Sequence, residues 1–444
     1  MKKIIRNIYL QKRFFVVLTG LVLGFLISYM VPDIFGAIQL LFYIFALLFL
    51  VDIILVFASK GKIRGQRLVP EKLSNGDENE IKISLSNSYL FPVGLKILDE
   101  MPHQFQKRDF GISTQLGKGK VKVFKYYLRP TERGVYSFGN LNVFARSPLG
   151  LISKKYTFDQ ERQVPVYPSF LQLRKYDLMA FTNKLFEYGI KRIRRIGHTM
   201  EFEQIKDYVL GDDIRNINWK ATAKKGGLMV NQYQDERSQP IYSIIDKGRV
   251  MKMPFNGLSL LDYAINATLV ISHIALKKQD KAGMFAFNRK IENRVAAERR
   301  SAQMNLILET LYNLETNFVE SDYSRLYADI KRSITQRSLL LLYTNFETLD
   351  ALVRQLPYLQ AMAKQHLLVV IFFENTELIK FTEEKAGTVQ QIFEKTIAEK
   401  FIYEKKLIVN ELRKYGIQTI LTKPEHLTVN TINKYLEIKA RGLI

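Results

Sequence analysis

The chain has 444 residues, 66 Lys plus Arg against 43 Asp plus Glu, a net charge of +23 and 47% hydrophobic residues. That length predicts several modules; the composition is too apolar for a disordered polycation and too evenly charged for a polytopic transporter. With no cysteine and only five scattered histidines, disulfides, cysteine nucleophiles and thiolate zinc sites are excluded, and a histidine metal site is disfavoured.

Two apolar runs open the chain, Phe14–Val31 and Ile34–Ala58. Each reaches the roughly 17 to 25 residues needed to cross a bilayer, and Pro32-Asp33 supplies the turn between them. Lys2, Lys3, Arg6, Lys12 and Arg13 imitate the basic start of a signal peptide, but no small-residue cleavage site follows and a second span comes at once. Residues 1–60 therefore read as a transmembrane hairpin. Basic residues flank both outer ends (Lys60, Lys62, Arg64 and Arg67 after the second span), whereas the turn carries only Asp33. The positive-inside rule then predicts cytoplasmic N- and C-termini. Asp52 lies inside the second run; it reads either as a proton or ion relay or as a boundary carboxylate bonded to a partner helix or interfacial water.

Residues 61–168 change to short alternating runs broken by turns. Ile81, Ile83 and Leu85 alternate with polar residues, Lys120–Leu128 reads the same way, and Ser74-Asn-Gly-Asp and Gly117-Lys-Gly-Lys mark turns. This predicts a β-sandwich of Ig-like size. From 241 to 444 the strands become continuous apolar runs, Ile241–Asp246, Ala282–Phe287, Ser338–Tyr343, Leu367–Phe373 and Ile417–Leu421. Helical segments are expected at about 257–276, 305–317, 323–334, 349–364, 383–415 and 427–439. Buried strands alternating with helices predict a doubly wound α/β domain, with ligands bound beyond the C-terminal strand ends.

Residues 169–240 hold the most distinctive segment, Met200 to Tyr233, with the only Trp. Gly211, Asp212, Asp213, Arg215, Asn218, Trp219 and Lys220 concentrate charge and hydrogen-bonding capacity in ten residues. Such density predicts a structural ion-pair network with Arg215 forked to an acid, or a metal or substrate site. The phrase Glu201-Phe202, Lys206-Asp207-Tyr208, Gly211-Asp212-Asp213, Arg215, Asn216-Ile-Asn-Trp-Lys-Ala-Thr-Ala223 and Leu228-Met-Val230 resembles the hallmark of the bacterial domain-of-unknown-function 58 proteins. The resemblance extends to the whole layout. It implies a von Willebrand factor type A-like α/β domain, a bacterial inner-membrane location, and a MoxR-type AAA+ ATPase as partner in an assembly or chaperone-like system.

A type A domain holds Mg²⁺ through Asp-x-Ser-x-Ser and later Thr and Asp oxygens. Here Asp246 is followed by Gly248 and Val250 in place of both hydroxyls, and Thr344-Asn345 stands where an acid is expected. The expectation is a degenerate site without Mg²⁺ or other cofactor, in which Asp246 pairs with Arg249 or caps the next turn. No P-loop, G-x-S-x-G or H-E-x-x-H motif occurs. Lys191–Arg195 is a basic run suited to anionic lipid, to an acidic partner, or to solvent.

The leading expectation is a non-enzymatic membrane scaffold that binds protein partners. One alternative is a metal-assisted hydrolase using Asp212, Asp213 and Asp246. The other is a binder of anionic lipid or nucleic acid driven by the +16 left after residue 67; no zinc finger or RNP motif supports nucleic acid.

Overall fold

The computed structural model describes residues 7–58, 61–107, 110–158, 160–173, 201–210, 212–234, 238–316 and 318–443. The chain divides into two compact units, Met1–Tyr167 and Pro168–Ile444.

In the first unit a short strand β1 (Ile8–Leu10) leads into helix α1 (Lys12–Met30), and a 3₁₀ turn at Pro32–Ile34 leads into α2 (Phe35–Ile53). Both helices are long and apolar enough to cross a membrane. They pack through Phe14 against Phe45 and Phe49, and through Ile38 seated on Gly24. The last turn widens to a π-helix over Ile54–Ala58. One of the carbonyls at that end, Val56 O, accepts from the Tyr89 hydroxyl at 2.9 Å.

The rest of the unit is antiparallel strands, with one short parallel pairing. β1 pairs with β10 (Ile152–Phe158), which continues through β9 (Leu141–Arg146) and β5 (Val93–Asp99) to β6 (Gly111–Leu116). Two three-stranded sheets complete it: β2 (Ile63–Leu68), β4 (Asn79–Asn87) and β7 (Val121–Leu128); and β3 (Leu73–Ser74), β11 (Arg162–Tyr167) and β8 (Gly134–Phe138). Ile81, Ile83 and Leu85 are fully buried in one shared core with Ile97, Val143 and Val164. In β7 the outcome reverses the expected face. Val121 and Val123 are exposed, whereas Tyr126 and Leu128 are buried. The register explains this: Ile81 faces Tyr126 and Ile83 faces Phe124, and directly opposed residues share a sheet face. The tripeptide β1 has no counterpart among the expected elements; three residues carry no periodicity.

The second unit holds a six-stranded sheet of β14 (Pro240–Asp246), β17 (Lys281–Phe287), β18 (Ile291–Glu298), β19 (Leu339–Tyr343), β20 (Leu367–Phe373) and β21 (Gln418–Thr422). Its spatial order is β18-β17-β14-β19-β20-β21, all neighbours parallel except β17–β18. A two-residue hairpin, β15 (Pro254–Phe255) with β16 (Leu258–Ser259), follows β14. Ile241, Ile245, Leu341 and Ile371 bury one face beneath α4 (Leu260–Lys277), α5 (Gln303–Tyr312) and α10 (Leu427–Ala440). Ile244, Leu342, Val370 and Phe372 bury the other beneath α6 (Tyr323–Ser333), α7 (Leu349–Gln365) and α9 (Val389–Lys414). Strands covered on both faces must be apolar at every position, hence runs such as Leu339–Tyr343 with all five residues buried. Each fully buried Leu or Ile contributes about 1.5–3 kcal/mol.

Two details differ from the sequence reading. β18 was not anticipated, because an edge strand that is mostly half-exposed carries little apolar signal. The helix expected at 383–415 is α9, which starts only at Val389 with Thr388 as its cap, and a further helix, α8 (Thr376–Glu383), capped by Asn375, precedes it.

Candidate functional site

Asp246 stands at the C-terminal end of β14, between β17 and β19, where the strand order reverses. This switch point is where open α/β sheets usually bind ligands. The carboxylate is buried and accepts four bonds: from the Ser321 hydroxyl, from Thr344 Oγ1 at 2.7 Å, from the Tyr323 hydroxyl at 3.3 Å and from Gly248 N at 2.8 Å. Tyr323 and Thr344 also bond each other at 2.6 Å. Asp246 thus caps the turn as anticipated, but the alternative pairing does not form. Arg249 reaches Glu320 at 3.2 Å, and Lys247 pairs with Glu292.

The hydroxyls missing from positions 248 and 250 are partly replaced in space. A Cβ at Gly248 would collide with the Ser321 oxygen, so Ser321 fills the room a side chain at 248 would take. Val250 is half-buried and packs on the core. Asn345 is engaged elsewhere, its Oδ1 accepting from Lys405 Nζ at 2.6 Å. Lys405 also bonds the Phe346 carbonyl, and burial pushes its amine down to about 8. It projects into a cavity of about 520 Å³ beyond the strand ends, walled by Phe255, Phe373, Leu378 and Phe401. Ser321 and Tyr323 escaped sequence reasoning because they lie about 75 residues from Asp246, just before and at the start of α6.

Burial raises the Asp246 pKa above its usual value, a rise that its four hydrogen bonds only partly offset. A group whose folded pKa is raised contributes stability in full below its unfolded pKa and loses it as pH climbs through the folded value. Asp246→Asn should therefore gain stability relative to the wild type as pH rises above the ordinary aspartate value, by at most about 1.4 kcal/mol per pH unit. Urea denaturation followed by circular dichroism at several pH values measures this; parallel profiles for the two proteins would refute it.

The signature segment is a separate turn structure. β12 (Glu201–Asp207) pairs antiparallel with β13 (Met229–Gln234). Between them lie a 3₁₀ turn at Ile214–Asn216 and helix α3 (Trp219–Lys225). Asp212 pairs with Lys206 at 2.9 Å and accepts from Val209 N, which holds its carboxyl below the usual range. Asp213 caps the 3₁₀ turn by accepting from Arg215 N at 3.0 Å. Asn218 caps α3 through Ala221 N and reaches Asn231 at 2.8 Å. Among the described residues no ion pair includes Arg215; its backbone amide is the group that Asp213 caps. Gly211 and the 191–195 basic run lie outside the described residues.

The polar signature residues thus fix a turn, and three of its apolar residues face solvent while Met229 and Val230 are buried. Trp219 is 69% exposed, Leu210 97% and Ile214 69%; Lys220 is also exposed. Among the described residues Asp212 and Asp213 bond within this segment, and Asp246 within the sheet domain. Among the described residues, no group of three or more His, Asp or Glu side chains is placed to hold a metal ion.

The family described as "Protein of unknown function DUF58" matches residues 204–379, which take in most of the signature turn and the strands from β14 to β20. The chain is similar to the "Uncharacterized protein YeaD" of Bacillus subtilis (strain 168), with 23% identity over 225 residues. That match covers 49% of this chain and 54% of the relative, so the chain spans about half the length of the curated relative it matches. Among solved structures, the CARDB domain of the PF1109 protein from Pyrococcus furiosus aligns at 17% identity and a TM-score of 0.19, covering 25% of this chain and 92% of that one. The ASH/PapD-like domain of human CEP192 aligns at 16% identity and a TM-score of 0.18, covering 24% and 84%.

Proposed function

We propose that the chain is a membrane-anchored scaffold whose α/β unit and signature turn dock cytoplasmic protein partners. The observation that carries this is the exposed apolar set Leu210, Ile214 and Trp219 in a turn whose polar groups are spent on caps. Exposed Trp is a frequent energetic centre of protein interfaces.

The anchor is the α1–α2 hairpin. Pairing of β1 with β10 ties the residues before α1 to the sandwich that follows α2, so both ends of the hairpin lie on one side. The Lys and Arg around those ends make that side the cytoplasm of a bacterial inner membrane. Numbered in chain order, the second sheet runs 3-2-1-4-5-6 with strand 3 antiparallel, which supports a von Willebrand factor type A-like reading. The resemblance described above makes a MoxR-type AAA+ ATPase the partner to test.

The Asp246 site does not fit the Mg²⁺ that such a domain would carry. Its surrounding hydroxyls donate into a single carboxylate, no second acid joins it, and Asn345 is held by the Lys405 ammonium. Millimolar Mg²⁺ should leave the pH–stability profile above unmoved.

The deciding experiment is purification of the tagged full chain at native expression in mild detergent, with mass spectrometry of what accompanies it. A MoxR-type ATPase should be recovered, and Trp219→Ala should lower its recovery at least tenfold with the fold intact by circular dichroism. Recovery of no such ATPase, or equal recovery with Trp219→Ala, would sink the reading.

A further inference from the structure

We infer that the hairpin carries a site for one anionic phospholipid, in the groove between α1 and α2 beside the sandwich. The inference rests on the reading that the hairpin spans a membrane. The groove has a volume of about 730 Å³, within the roughly 300–1,000 Å³ common for bound small molecules. Val17, Gly20 and Leu21 form one side; Leu41, Ile44 and Leu48 form the other. Leu149 and Leu151, from the loop between β9 and β10, close its end. Lys12 and Arg13 stand at its mouth, in the first turn of α1.

Three features give this groove the chemistry of a lipid rather than of bare hydrocarbon contact. The first is charge. Two cations and no acid line it, and the nearby carboxylate of the hairpin, Asp52, is already bonded by Ser147 and by the amides of Leu151 and Ile152. A phosphate is the complementary group, and basic pockets beside transmembrane helices on the cytoplasmic side are suited to anionic head groups.

The second feature is depth. Gly20 lies about two helical turns beyond Lys12, roughly 12 Å into the apolar zone, so head and tail requirements are met in the right order along one axis. The third is prior shape. The loop bearing Leu149 and Leu151 is held to α2 through Asp52, Arg13 Nη1 reaches Leu149 O at 3.4 Å, and Gly150 takes the left-handed conformation beneath Arg13 (φ 69°). Gly20, by contrast, has nothing within 4 Å of where a Cβ would stand. Helix packing does not require glycine there; the open space is what the glycine provides.

The test is native mass spectrometry of the full chain in mild detergent. It is titrated with palmitoyl-oleoyl phosphatidylglycerol or with phosphatidylcholine of the same chains. One phosphatidylglycerol should be retained at concentrations at least tenfold below phosphatidylcholine. Lys12→Gln/Arg13→Gln should erase that preference, and Gly20→Leu, which fills the groove and keeps both charges, should reduce retention of either lipid at least tenfold. Equal retention of the two lipids by the wild type, or retention unaffected by Gly20→Leu, overturns the site. So does a dimer that Gly20→Leu dissociates without any lipid bound, since the groove would then belong to a second copy of the hairpin. Carbonate washing of membranes separates this failure from failure of the anchor: a chain released by the wash fails the anchor reading, whereas one retained without lipid preference fails only the site.

Discussion

Asp99→Ala should be the most damaging single substitution in the first unit, with a loss of about 3–5 kcal/mol of sandwich stability. Asp99 and Arg67 form an ion pair whose side chains are 0% and 1% exposed. Arg67 Nη2 donates to the carbonyls of Gly139 at 2.8 Å and Gln160 at 2.6 Å, and Tyr126 donates its hydroxyl to Asp99. Burial and the adjacent carboxylate raise the Tyr126 phenol well above its ordinary value, so it remains a proton donor at any physiological pH. Removing Asp99 leaves a buried guanidinium without its counter-charge and a buried phenol without its acceptor. The network as a whole is a different matter. Replacing Arg67, Asp99 and Tyr126 together by Met, Leu and Phe should cost less than Asp99→Ala alone, because no buried charge is left unpaired, although the carbonyls of Gly139 and Gln160 lose their donor. The sole Trp lies in the other unit, so hydrogen exchange of the β4 and β5 amides, read by mass spectrometry, is the measurement to use. Protection unchanged in Asp99→Ala, or lost to the same extent in the triple variant, would refute the account.

How much of this was legible beforehand depends on the length of chain over which each interaction acts. Ile81, Ile83 and Leu85 announce β4 because alternation is local. The unbroken apolar runs at 241–246, 339–343 and 367–373 announce a sheet covered on both faces for the same reason. Register is not local, which is why the outward face of Val121 and Val123 became visible only once Tyr126 was seen opposite Ile81. The Asp246 environment shows the same limit. Loss of the hydroxyls at 248 and 250 is plain in the sequence, but Ser321 and Tyr323 arrive at the start of α6, after four strands and two helices. In the signature turn the residue types were read correctly as a dense polar cluster. Their division of labour was not, since Asp213 and Asn218 accept from the backbone amides of Arg215 and Ala221. Caps need only one short side chain and one free N–H, and compete well against ion pairs on an exposed turn.

Asp52→Ala should release the loop between β9 and β10 from α2 without unfolding the hairpin or the sandwich. Asp52 is fully buried near the C-terminal end of α2, and its acceptors serve the Ser147 hydroxyl and the backbone amides of Leu151, at 2.9 Å, and Ile152, at 3.0 Å. Its partner is therefore the loop between β9 and β10, about 100 residues away, rather than the neighbouring helix or water that the sequence suggested. Alanine would leave three donors without an acceptor, each costing about 1–3 kcal/mol unless water enters. Water entry is the cheaper outcome at the edge of a bilayer, so the loop should lift rather than the fold fail. Amides 151 and 152 should then exchange at least tenfold faster, whereas those of β9 should keep their protection. Ser147→Ala, which removes one donor and leaves both amide bonds, should shift them less than Asp52→Ala. Because Leu149 and Leu151 also wall the lipid groove, Asp52→Ala should weaken phosphatidylglycerol retention while Lys12 and Arg13 remain in place. Unchanged exchange at both amides would show that the carboxylate does not hold the loop, and the proposed groove would lose the support that shapes it.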